Sequence, residues 1–427
     1  MDIHVVKSGE SVYSIAQKYG VSPQSIAVNN ELANPSQLVP GQTLVILYPD
    51  QTYTVQSGDT LFSVAQALGV TVNQLLRNNP QLGGNMVIRP GQVLTVTYKP
   101  QPQGLLAVNG YAYPYIDRAV LRKTLPYLTY ITLFTYGITP EGELVDLDDQ
   151  EVISIAREYG VAPLMLISTL TPEGTFSNQL ASTILHNAEL QNRLIDRIMN
   201  NLRTKNYYGL DVDFEYILPE DRIAYVEFIR NLTTKLNAAG YPVFVALAPK
   251  TSSDQRGLLY EAHDYRALGQ VANRVLLMTY EWGYTYGPPM AVAPLNKVRE
   301  VLDYAVTQIP REKILMGIPN YGYDWTLPFV QGVSKAQSLS NVAAVELAGR
   351  VGAVIQFDPV AQAPYFRYYD DQWREHEVWF ENARSIEAKL ALIAEYALYG
   401  GSYWNIMKYF PQNWLVLNAL YNIRRVI

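Results

Sequence analysis

The chain has 427 residues, 48% hydrophobic and 17% charged, an ordinary balance for a folded protein long enough for one large domain and smaller modules. Its formal charge of −6, from 33 Lys+Arg against 39 Asp+Glu, comes without a basic block, which argues against nucleic acid as a partner. With no cysteine and only four scattered histidines (His4, His186, His263 and His376), disulfides, thiolate metal sites and a cysteine nucleophile are excluded, and neither metal nor cofactor is expected.

The first residues carry neither the basic nor the apolar segment of a signal peptide, and no stretch of about 18 apolar residues follows, so neither standard export nor a membrane span is expected. The chain then repeats itself: residues 4–16 match residues 53–65, and Pro40-Gly41-Gln42-Thr43-Leu44 matches Pro90-Gly91-Gln92-Val93-Leu94. Each copy reads as strand, helix, helix, strand. Ser11 or Thr60 caps a helix that stops at Gly20 or Gly69, Ser22-Pro23 or Thr71 opens a second, and strands at 43–47 and 93–97 close the copies. The Ser-Gly-[Asp/Glu]-[Ser/Thr], Asn-Asn and Pro-Gly-Gln signatures of both copies resemble the LysM domain, a βααβ binder of N-acetylglucosamine-containing glycans. That resemblance implies glycan contacts at Gly9, Ser11, Asn29 and Asn30 in a first module (1–48), and at Gly58, Thr60, Asn78 and Asn79 in a second (51–98). Each of these residue types also suits a turn or a cap.

Residues 99–105 read as a Pro-rich linker. Beyond it, strand-length apolar runs at 106–112, 130–136, 163–169, 208–215, 243–249, 274–281, 313–319 and 400–406 alternate with helical stretches at 149–159, 178–204, 219–239, 295–308, 385–398 and 411–424. Eight such strands predict a (β/α)8 TIM barrel over 106–427. The seventh unit is too long, and strand-like pieces after a helical stretch predict a small α+β insertion at about 324–380, walling one side of a cleft.

The fourth run, Tyr208-Gly209-Leu210-Asp211-Val212-Asp213-Phe214-Glu215-Tyr216, places an acid at every second position. On a strand these three acids share one face, about 6–7 Å apart, with Leu210, Val212 and Phe214 on the other. Like charges that close in a shielded site raise one another's pKa, which keeps an acid protonated near neutrality; an acidic solvent face is the plainer reading. Barrel active sites lie at the carboxyl ends of the strands, where Tyr280-Glu281-Trp282, Asn320-Tyr321 and Tyr403-Trp404 also fall. Tyrosine is abundant, 33 against 11 Phe, and its ring and hydroxyl suit a sugar as well as ordinary packing.

From about residue 105 onward the chain resembles glycoside hydrolase family 18, whose strand-four motif Asp-Gly-x-x-Asp-x-Asp-x-Glu is met by Gly209, Asp211, Asp213 and Glu215, with Tyr208 in place of the first Asp. The family's Met-x-Tyr-Asp on strand six reads Met278, Tyr280 and Glu281 here, an acid one methylene longer. The resemblance implies a substrate-assisted, retaining mechanism. In it Glu215 is the general acid and base, Asp213 holds the substrate acetamide, Asp211 shares a proton with Asp213, Tyr280 donates to the acetamide oxygen and Trp404 floors the reacting sugar. Glu281, Trp282, Asn320 and Tyr321 become substrate-binding candidates. The two LysM-like modules ahead of the barrel, with Ala248-Pro249-Lys250-Thr251-Ser252 and Tyr280-Glu281-Trp282-Gly283-Tyr284, are similar to the cortex-fragment-lytic N-acetylglucosaminidases of spore-forming bacilli. The implied protein is a monomer made in the mother cell and laid down in the spore coat or cortex, acting on peptidoglycan during germination. A chitinase, or a non-catalytic glycan-binding coat protein, are the alternatives.

Overall fold

The computed structural model describes residues 1–102 and 104–427. Eight parallel strands close a barrel: Gly104–Ala112, Tyr130–Ile138, Ala162–Ser168, Gly209–Asp213, Val243–Leu247, Arg274–Leu277, Ile314–Pro319 and Gly400–Trp404, the last pairing back to the first. The (β/α)8 expectation holds. Alternation divides each strand in two. Leu210, Val212 and Phe214 face outward into the apolar layer under the helices, while the barrel interior holds Tyr111, Tyr130, Phe134, Leu164, Leu166, Phe244, Leu276 and Leu315. A polar layer crosses this interior, with Thr132 Oγ1 donating to Asn109 Oδ1 (2.9 Å) and Asn109 Nδ2 donating to Ser402 Oγ (3.1 Å).

Local differences from the expected elements have identifiable causes. The long helix expected at 178–204 is two, Asn178–Leu185 and Ala188–Thr204, because the Asn187 side chain caps the second by accepting from the N–H groups of Glu189 and Leu190. The last helix stops at Leu420, and Tyr421–Ile423 instead pairs parallel with the start of the first barrel strand. Helices Arg118–Thr124 and Tyr265–Val271 were not anticipated; each has only seven residues, too few to show a clear period. After the seventh strand, Gly322–Thr326, Gln337–Leu339, Gln356–Asp358, Ala363–Tyr369 and Glu375–Trp379 form a five-stranded antiparallel sheet beside helix Asn341–Val351, the α+β insertion.

Both N-terminal repeats are βααβ units, and their two opening helices carry capping boxes, Ser11 with Ser14 and Thr60 with Ser63. Both repeats are docked on the barrel and its insertion rather than held only by the Pro-rich connection. The last strand of the second repeat runs to Lys99 and the first barrel strand starts at Gly104, leaving a short connection whose residue 103 lies outside the described residues. Arg77 is buried, donating through Nε to Asn418 Oδ1 (2.9 Å) and through Nη1 to the Pro126 carbonyl (3.1 Å), and Tyr159 of the barrel donates to the Gly84 carbonyl (2.6 Å). Burial lowers the Arg77 pKa to about 10, with the nearby Arg425 adding to the shift. The first repeat packs Val39 into the core of the insertion and pairs Glu31 with Lys123 (2.6 Å). Gly41 makes this approach possible: it has φ +86°, and a Cβ there would lie 1.9 Å from the Ile355 carbonyl oxygen. Because removing the Arg77 side chain leaves the buried Asn418 Oδ1 without its donor, while the Pro126 carbonyl keeps Arg425, Arg77→Ala should cost about 1–3 kcal/mol. Calorimetry should show one transition, lowered in the variant; two transitions with the upper unmoved would mean that the repeats are only loosely tethered.

Candidate active site

The fourth strand ends at Asp213, so Asp211 and Asp213 sit on the ladder while Glu215 lies two residues beyond it, at the strand's carboxyl end. There the chain turns through Tyr216, which has φ 56°. The two aspartates are buried and Glu215 is partly buried. Asp211 Oδ2 accepts from the Tyr111 hydroxyl (2.7 Å), whereas Asp211 Oδ1 and Asp213 Oδ1 are buried with no hydrogen-bond partner among the described residues.

Burial dominates the electrostatics of all three acids. It raises Asp211 to about 7 against the opposing pull of the Tyr111 hydrogen bond. It lifts Asp213 well above the carboxylate range, and the charges of Glu215 and Asp211 push further in the same direction. Glu215 rises to about 7 through burial and then through the charge of Glu281. Three acids that lose solvent together cannot all ionise near neutrality, so the row holds at least one proton in the range where hydrolases work.

The surrounding strand ends supply the rest. Tyr280 follows the sixth strand, and its hydroxyl is held in the neutral form by burial and by the field of Asp213, Glu215, Glu281 and Asp211. Its ring fits because the neighbouring strand carries Gly317: a Cβ there would lie 2.7 Å from the Tyr280 ring and 2.5 Å from the Leu277 carbonyl oxygen. Glu281, in the left-handed region at φ 66°, accepts from the hydroxyls of Tyr321 and of Tyr323, the latter at 3.0 Å. Its extra methylene is therefore used to reach two insertion-side tyrosines. Trp404 ends the eighth strand and is braced edge-on by Phe134 (5.0 Å between centroids), Tyr111 (5.4 Å) and Tyr113 (6.3 Å). Tyr208, in the position where the family motif has Asp, stacks obliquely on Tyr130 (5.9 Å) at the opposite end of the strand from Glu215.

Other expected contacts are used differently. Asn320 is buried, and its Nδ2 donates to the carbonyls of Asn405 and Lys408 (2.9 Å each), tying the seventh strand to the loop after the eighth. Trp282 is half buried and packs on the apolar layer under the helices. Asn30, Asn78 and Asn79 do not face outward. Asn30 brackets Val45, donating to its carbonyl and accepting from its N–H; Asn79 brackets Thr95 in the same way; Asn78 donates to the Val96 carbonyl and accepts from Asn418. Asn29 is half buried and near Tyr98 of the second repeat. Gly9 and Gly58 are left-handed turn residues with open space around them, next to the capping residues Ser11 and Thr60. Missed by the sequence reading are Tyr111, one of many tyrosines, and the pair Tyr13 and Phe62, 69% and 68% exposed at the same position of the two repeats. The repeat alignment itself contains that second signal. A cavity of about 520 Å³ lies between the first repeat and the insertion, lined by Leu38, Val345, Phe410 and Gln412; none of the strand-four acids borders it.

Comparison with known proteins agrees with this geometry. The family model described as glycosyl hydrolases family 18 matches residues 111–408, and the LysM domain model matches residues 4–47 and 53–97. The cortical fragment-lytic enzyme of Bacillus subtilis (strain 168) is 42% identical over 429 residues, 99% of this chain and 99% of the relative. The crystal structure of the spore cortex-lytic enzyme SleL of Bacillus megaterium QM B1551 superimposes with a TM-score of 0.85 at 40% identity, covering 100% of this chain and 99% of that one. A chitinase from Chromobacterium violaceum matches with a TM-score of 0.69 at 27% identity over 74% of this chain and 98% of its own. A family model across most of the chain, relatives similar end to end and a buried acid row at the carboxyl end of a closed barrel lead to one assignment: the chain belongs to glycosyl hydrolases family 18 and is a glycoside hydrolase carrying two LysM domains.

Proposed function

We propose that this enzyme hydrolyses N-acetylglucosaminyl bonds of spore-cortex peptidoglycan fragments, with retention and with the substrate's own acetamide as nucleophile. The observation that carries the reading is the pairing of a raised, partly buried Glu215 with a buried Asp213 whose Oδ1 has no protein partner among the described residues. A carboxyl sunk in the strand ladder is poorly placed to attack C1. It is well placed to accept the acetamide N–H and to stabilise the positive oxazolinium ion, the route by which such enzymes manage without a carboxylate nucleophile. Glu215 protonates the leaving oxygen and then deprotonates water. Asp211, held by Tyr111, takes up or returns the proton that sets the charge on Asp213. Tyr280 donates to the acetamide oxygen, and Trp404 forms the flat apolar floor. The LysM domains retain the enzyme on insoluble glycan, with Tyr13 and Phe62 as exposed rings beside Ser11 and Thr60. The cortex preference and the spore location are supported by relatives that match end to end, which are named cortical fragment-lytic and spore cortex-lytic enzymes.

Chitin is the second reading, favoured by the barrel's likeness to the Chromobacterium chitinase. Mass spectrometry of products from intact cortex, muramidase-cut cortex fragments and chitin oligomers separates the two. The fragments should be cut fastest; faster cleavage of chitin oligomers would replace the proposed substrate.

A further inference from the structure

His263 is unused by this mechanism, although it is completely enclosed and lies against the catalytic segment. The peptide joining Phe214 to Glu215 is outside the ladder, because pairing with the third strand ends at Ser168↔Asp213 and pairing with the fifth ends at Val245↔Val212. Its carbonyl oxygen, Phe214 O, instead accepts from His263 Nε2 at 3.0 Å. The other ring nitrogen fixes the tautomer: Nδ1 accepts from the Ala248 N–H at 2.9 Å, so the ring proton is on Nε2. The ring is also wedged, stacked at 6.0 Å on Tyr225, which in turn stacks on Phe214.

The same contacts give a role to the Ala248-Pro249-Lys250 stretch, which the chemistry so far leaves idle. The Tyr265 hydroxyl donates to the Ala248 carbonyl (2.6 Å) and accepts from the Lys250 N–H (2.9 Å), and Lys250 Nζ donates to the His263 carbonyl (3.1 Å). Together these bonds form a bracket from the end of the fifth strand to the end of the fourth, with His263 as its crosspiece.

We infer that His263 is a positioning residue for Glu215: by holding the Phe214 carbonyl it fixes the plane of the peptide from which the catalytic carboxyl projects. This rests on Glu215 being the general acid. Burial lowers His263 to about 4, so the ring stays neutral and its donor and acceptor keep these roles at working pH. A misplacement of the acid by about 1 Å is enough to cost about 100-fold in rate, while sugar subsites formed by other strands keep their affinity.

The test compares His263→Gln, which presents an N–H at similar reach, with His263→Met, which has similar length and no donor. Kinetics are measured on the folded full-length enzyme with muramidase-cut cortex fragments, and Glu215→Gln is included as a control. His263→Met should lower kcat about 10- to 100-fold with KM within about twofold, and His263→Gln should recover most of the loss. Should His263→Met not accumulate, His263→Phe removes the donor while keeping a ring in the same space. Donor-free variants with kcat within about twofold of wild type, or a Gln variant as impaired as the Met variant, would overturn the inference. An active Glu215→Gln control would instead overturn the assignment of the acid, so the two failures are distinguishable.

Discussion

Glu215→Gln should lower the hydrolysis rate by about two to four powers of ten, with the fold intact and the melting temperature unchanged or slightly raised. The amide keeps the shape of the side chain but can neither donate a proton to the leaving oxygen nor take one from water. It also relieves an electrostatic burden, because Glu215, Asp213 and Asp211 all bind their protons more tightly in the folded protein than in the unfolded chain. Groups with raised folded pKa values contribute most stability below about pH 4, the unfolded value, and that contribution is lost as pH rises through about 7. Wild-type stability should therefore decline between pH 5 and 8, and the decline should be shallower in Glu215→Gln. Activity should fall over the same alkaline limb as Glu215 loses its proton. Thermal unfolding and initial rates at matched pH values check both. A variant with more than about a tenth of the wild-type rate would remove Glu215 from the role of acid.

The acid row was legible because a strand alternates with period two: Leu210, Val212 and Phe214 had to face the helices, so Asp211 and Asp213 had to face the barrel interior, whatever else the chain did. The insertion showed itself as surplus length between the seventh and eighth strands. Asn30, Asn78 and Asn79 show where such reading stops. An Asn after a helix can hold a sugar or satisfy backbone groups, and only the tertiary structure reveals that Val45, Thr95 and Val96 take up these amides. Docking of the repeats was hidden for the same reason. Arg77 reads as a surface helix residue until Asn418, more than 300 positions away, is brought against it. Tyr111 and His263 likewise act through partners distant in sequence, Asp211 and Phe214, and neither sits in a motif that could single it out.

The central claim is that the nucleophile belongs to the substrate. If Asp213 and Tyr280 serve to hold an acetamide against C1, a sugar lacking the acetyl group at the position beside Glu215 has nothing to form the oxazolinium ion, and its free amine cannot take the place of the carbonyl oxygen. The remaining glycan contacts, including the Trp404 floor and the LysM domains, are unaffected by that change, so binding should survive. The direct measurement is the initial cleavage rate, at equal bound fraction, of matched cortex fragments with and without the N-acetyl group on that one glucosamine. The account predicts a loss of at least about a thousandfold on de-acetylation, comparable to that of Glu215→Gln. Cleavage of the two fragments at similar rates would contradict it and return the reaction to a carboxylate nucleophile supplied by the protein.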